Sequence, residues 1–105
     1  MGIDTEIAIN PRDKEILLSL LARYVPQTTV WAYGSRVSGS ALPWSDLDIV
    51  VFSGAEQQHR ISLLKEALQE SNLPFRVDIL EWDSLPDSFK SNITASRPAV
   101  LVKAE

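Results

Sequence analysis

Apolar positions along this chain keep a helical period at first and then change to strand-like runs. Ile16, Leu17, Leu20, Leu21 and Tyr24 form one helical stripe. Asn10 can cap its start, Pro11 suits the first helical position, and Pro26 limits its extent. Thr28 to Tyr33 is rich in β-branched and aromatic residues and predicts a strand. Gly34 breaks it, Ser35-Arg36-Val37-Ser38 can open a short helix before Gly39, and Ser40 to Ser45, with Pro43, reads as loop. Asp46 to Phe52 predicts a second strand, punctuated by Ser53-Gly54. A helix then runs from Ala55 to near Ser71 with Ile61, Leu64 and Leu68 inward, ended by Asn72 and Pro74. Phe75 to Trp82 predicts a third strand. Pro86 opens a shorter helix carrying Leu85, Phe89 and Ile93 at i, i+4, i+8, and Ala99 to Val102 forms an extended apolar edge. The elements alternate, without repeat or linker, as one α/β (α+β) domain over residues 1–105: a small mixed β-sheet flanked by helices.

Composition narrows this picture little. The 105 residues suffice for one compact domain and not for two. A hydrophobic share of 45% fits a globular chain rather than a disordered one. With no cysteine, disulfides and thiolate metal sites are excluded. The net charge of −4 argues against nonspecific nucleic-acid binding, which runs on clustered Lys and Arg, but allows an acidic site that recruits cations. No apolar run approaches the roughly 20 residues of a membrane helix. Met1 to Glu6 lack the basic flank and apolar stretch of a signal peptide. A soluble, cytoplasmic protein with no membrane contact is expected.

Chemistry concentrates in three acids and one turn. Strand alternation puts Asp46 and Asp48 on one face, with Leu47, Ile49 and Val51 on the other. Two carboxylates so close repel each other, and a divalent cation removes the conflict. Asp78, between Val77 and Ile79, is costly there unless it faces a polar site. Three oxygen ligands favour magnesium over zinc. Two such ions can stabilise the attacking and leaving oxygens of an in-line displacement, with Asp46 and Asp48 bridging them and Asp78 completing one site and taking the acceptor's proton. The competing reading is ordinary: Asp-x-Asp is common on surface strands, and Asp78 would pair with a neighbour such as Arg76.

What shifts the balance is Gly34-Ser35. A glycine after a strand lets backbone approach a phosphate, helix N-terminal N–H groups favour anions, and the Ser35 hydroxyl adds a donor. Arg36 can reach terminal phosphates or make a surface salt bridge. There is no GxxxxGK[ST] loop. His59, among Gln57, Gln58 and Arg60, reads as solvated, and Trp31, Trp44 and Trp82 as core or rim packing, with Trp44 near enough to the acids to touch a base.

Gly34-Ser35-Arg36-Val37-x-Gly39, Ser45-Asp46-x-Asp48-Ile49-Val50-Val51 and Val77-Asp78 together resemble the minimal nucleotidyltransferase family of the DNA polymerase beta superfamily. The likeness runs from the first helix to the third strand, and Ser91 to Pro98 fit it less closely. It implies a polymerase beta-like fold that binds Mg²⁺–ATP and transfers AMP, with Asp46, Asp48 and Asp78 on the metals and Gly34 and Ser35 on the triphosphate. It further implies a HEPN-domain toxin as partner, adenylylated on a tyrosine and so silenced by its antitoxin. The small chain leaves no room for a second, acceptor-holding domain, so the acceptor is expected on another polypeptide. Two other readings stand beside this one: an antitoxin that masks its partner by binding alone, and transfer to a small molecule of the aminoglycoside type.

Overall fold

The first helix forms where its cap and stripe predict. In a computed structural model that describes residues 7–42 and 44–104, α1 spans Pro11–Tyr24. The Asn10 side-chain oxygen accepts the Asp13 N–H at 2.9 Å, and the Asn10 amide donates to the Asp13 carboxylate at 2.9 Å. One orphan donor of the first turn is thereby satisfied, and Asp13 is held buried. Met1 to Glu6, on which the leader-peptide expectation rests, and Pro43 lie outside the described residues.

The remaining elements are β1 (Val30–Tyr33), α2 (Ser35–Ser38), β2 (Leu47–Val51), α3 (Gln58–Gln69), β3 (Val77–Glu81), α4 (Asp87–Ala95) and β4 (Ala99–Val102). The strands form one sheet in the order β3-β2-β1-β4. β1 runs antiparallel to β2 and β4, while β2 and β3 are parallel. A parallel pair needs a long crossover, and α3 lies in it. The sheet is therefore mixed, with β3 and β4 as its edges, as the extended Ala99–Val102 segment predicts for β4.

The helices α1 and α3 pack against each other and cover one face of the sheet. Leu17 and Leu21 of α1 and Ile61, Leu64 and Leu68 of α3 meet Val30, Ala32, Leu47, Ile49 and Val51 there. The opposite face carries Tyr33, Trp31, Asp48, Val50, Asp78 and Leu80, because side chains alternate and register partners share a face. At one end of that face Trp31, Phe52 and Trp82 form an aromatic cluster, with ring centroids 4.6 to 5.7 Å apart.

Several boundaries move inward from the sequence expectation. β1 begins at Val30 because Thr28 turns its hydroxyl to the Pro26 carbonyl and receives the Gln57 amide. Ala55–Gln57 is a 3-10 turn before α3 rather than part of it, and Trp82–Ser84 is a 3-10 turn after β3. Pro86 caps α4 from outside in an extended conformation. β2 starts at Leu47, so Asp46 precedes the strand. Trp44 is 72% exposed, not packed in a core or rim.

Candidate active site

The end of β1 and the start of β2 are made neighbours by their antiparallel register, which sets Tyr33 opposite Asp48. β3 adds Asp78 opposite Asp48 from the other side. Tyr33, Asp48 and Asp78 thus stand in a row across three adjacent strands, all on the face that α1 and α3 leave open. The parallel register is what brings Asp78 to Asp48; no spacing along the chain encodes it.

The turn after β1 closes on the same row. Gly34 has φ +86° and ψ −157°, a conformation that L side chains rarely adopt. A Cβ built there would run into the Asp48 carboxylate. Glycine at this position is therefore required twice, by backbone angle and by the approach of the acid. The Val37 and Ser38 N–H groups fold back on the Gly34 carbonyl, both at 3.0 Å, and so shape α2. The Ser35 hydroxyl has no hydrogen-bond partner among the described residues, which leaves it available to a ligand.

Charge follows from this geometry. Burial, then Asp78, then Asp46 push the Asp48 carboxyl above its ordinary range. The Tyr33 phenol is raised from its ordinary 10 to about 12 by burial, then by Asp48 and Asp78. Three acids acting on one another is the condition that a divalent cation relieves, and the hard oxygen donors suit such an ion. Yet the described residues hold no ready-made set of three acid or histidine side chains gathered around one point. β2 begins one residue after Asp46, and Asp78 is turned to Arg76, whose Nε and a terminal nitrogen each lie 3.1 Å from one carboxylate oxygen. The pairing with Arg76 is the ordinary role weighed for Asp78 from sequence, and it coexists with the alignment beside Asp48. With both partners partly exposed, it is weak and open to displacement.

Arg36 is only 6% exposed. Its Nε donates to the Ser45 carbonyl at 2.9 Å, a terminal nitrogen donates to the Ala8 carbonyl at 2.6 Å, and the guanidinium lies 4.2 Å from the Phe75 ring centre. These contacts fix the loop immediately before Asp46. His59 is exposed, as expected of a solvated residue. Tyr33 is the site neighbour that the sequence reading missed. The available signal was its place just before Gly34 on the strand face opposite Ala32.

Residues 14–100 match the family described as nucleotidyltransferase domain. The "Probable protein adenylyltransferase MntA" of Haemophilus influenzae is 39% identical over 89 residues, spanning 84% of this chain and 78% of that protein. Among solved structures, a toxin–antitoxin with AMP-PNP is similar at a TM-score of 0.59 and 18% identity, covering 88% of this chain and 74% of the other. The toxin–antitoxin MntA-HepT is similar at a TM-score of 0.54 and 16% identity, covering 90% and 74%. These last two likenesses are of fold. Family match and relative agree with each other: the chain belongs to the nucleotidyltransferase domain family, in the minimal form that MntA represents.

Proposed function

We propose that this protein transfers AMP from ATP to a hydroxyl, that of a tyrosine, on a HEPN-domain toxin and so serves as its antitoxin. The observation that carries the reading is the row Tyr33, Asp48 and Asp78 with Gly34 pressed against the Asp48 carboxylate, a glycine turn and two acids within one small area. The names of the relatives support the same direction: one is a protein adenylyltransferase, and another is a toxin–antitoxin with an ATP analogue.

In this reading Gly34 admits the triphosphate to the backbone of the turn and Ser35 donates its hydroxyl to a phosphate oxygen. Arg36 holds the turn and the approach to Asp46 together instead of touching the nucleotide. Asp46, Asp48 and Asp78 would hold divalent magnesium, as two ions, and that cation would supply positive charge to the phosphate oxygens. Asp78, on the edge strand, faces an incoming acceptor and takes its proton. The acceptor oxygen forms a bond to the α-phosphorus while the bond from that phosphorus to the bridging oxygen breaks, and pyrophosphate leaves.

The test is to mix the protein with Mg²⁺–ATP and the HEPN-domain protein encoded beside it, then weigh that partner. Gain of the mass of AMP, lost in Asp46→Ala/Asp48→Ala, is the expected outcome. If the double variant still neutralises the toxin fully, masking by contact replaces transfer as the function. Efficient transfer to a small molecule with an unmodified partner would also defeat the proposal.

A further inference from the structure

The acid that ends the row lies on an open edge. β3 pairs with β2 on one side, and among the described residues the strand order gives it no partner on the other. The Leu47 N–H donates to the Arg76 carbonyl at 2.8 Å, which fixes the phase of the parallel ladder. Backbone groups of Asp78 and Leu80 then face β2, and those of Val77, Ile79 and Glu81 face outward. A row of outward N–H and C=O groups is a template for one more strand. Every residue of β3 is half-buried.

Beside this edge, between α3 and β3, lies a cavity of about 600 Å³. Its apolar wall includes Leu68, Leu73 and Phe75, suited to the alternate side chains of an extended segment. Its rim carries Lys65 and Arg76, and among the described residues the only acid lining it is Asp78, which Arg76 already pairs. The groove is thus cationic toward a visitor although the whole chain is acidic. Asp78 lines the groove and also stands in the row beside Asp48, so the strand that borders the groove is the one that carries an acid of the candidate active site.

We infer that the free edge of β3 receives the acceptor segment of the partner protein. That segment adds as an extended strand, lays apolar side chains into the groove, sets acidic residues over Lys65, and brings its hydroxyl beside Asp78. Opposed side chains on neighbouring strands stand about 5 Å apart at Cβ, so a residue on the added strand reaches the row without any movement of the sheet. The inference rests on the proposed transfer to a protein and adds where that protein's acceptor enters.

Val77→Pro removes one outward N–H at the first residue of an edge strand, where proline costs no ladder bond. Expected is a rise of about fivefold in KM for the HEPN-domain protein, the worth of one main-chain hydrogen bond, with kcat and ATP affinity held. Lys65→Glu, away from the acids, should raise KM by about threefold in the same way. In the complex, the amides of Val77, Ile79 and Glu81 should exchange at least about tenfold slower than in the free chain. Wild-type KM in both variants, or unchanged exchange at those amides in the saturated complex, overturns the inference while leaving AMP transfer intact. Protection that rises with concentration of this chain alone, without partner, also overturns it, since a second copy then fills the edge. If Val77→Pro lowers ATP affinity too, Lys65→Glu and the amide exchange decide. If the wild-type protein modifies no partner, the function has failed, and the amide exchange alone judges the edge.

Discussion

The two faces of β2 differ more than their shared backbone suggests. Leu47, Ile49 and Val51 are fully buried against the helices, while Asp48, between the first two, faces Tyr33, Asp78 and the turn. One face removes apolar area from water, worth about 2 kcal/mol for each fully buried aliphatic side chain. The other holds like charges together at a cost that the fold must bear. The difference teaches that stability and chemistry are separable here by a single residue step along the strand.

The sharpest break of that comparison is Asp48→Asn. It should reduce AMP transfer by about 10³-fold, the scale of removing one preorganised electrostatic group, without lowering the melting temperature. Loss of stability along with activity would show that the acid is part of the foundation. On the other face, Ile49→Ala should lower unfolding free energy by about 3 kcal/mol in urea, with transfer per folded molecule kept.

A smaller effect separates the two glycines that bracket α2. Gly34 and Gly39 both have positive φ, +86° and +91°, yet a Cβ at Gly39 meets nothing within 4 Å. Alanine at either costs about 1–2 kcal/mol of backbone strain. Only Gly34→Ala should also weaken ATP binding, seen by titration calorimetry, because it alone displaces the Asp48 carboxylate.

The smallest effect is in pH. The Tyr33 phenol is raised from 10 to about 12, so the folded state binds its proton more tightly than the unfolded chain does. That contribution is complete below pH 10 and is lost as pH rises toward 12. Tyr33→Phe should therefore flatten the alkaline loss of stability in that window, read from melts across pH. An unchanged slope would show that Tyr33 lies outside the field of the acids.

Much of this was legible in residue order, and the reasons for the rest are physical. Asn10-Pro11 and the apolar stripe of α1 are local signals, and local signals survive in the fold. So did Gly34 and the alternation after Leu47. The sequence could not show that Asp48, Asp78 and Tyr33 are register partners, since pairing across strands is not a spacing along the chain. Nor could it show partners far away in the chain: nothing near Arg36 signals that Ala8, Ser45 and Phe75 gather around it. Asp46 reads as a strand residue, while the strand begins one residue later, after a loop in which the Ser45 hydroxyl accepts the Leu42 N–H.

That same Arg36 has a consequence for the entropy of ligand binding. Its guanidinium joins the segment at Ala8, the loop at Ser45 and the ring of Phe75, and its own carbonyl accepts the Ala8 N–H. A short turn beside a loop would otherwise sample many arrangements, each of which a nucleotide would have to select against. With the guanidinium in place, most of that freedom is surrendered when the chain folds. On the proposed function, a nucleotide would meet a turn already tied down, and its contact energy would go into affinity instead of ordering.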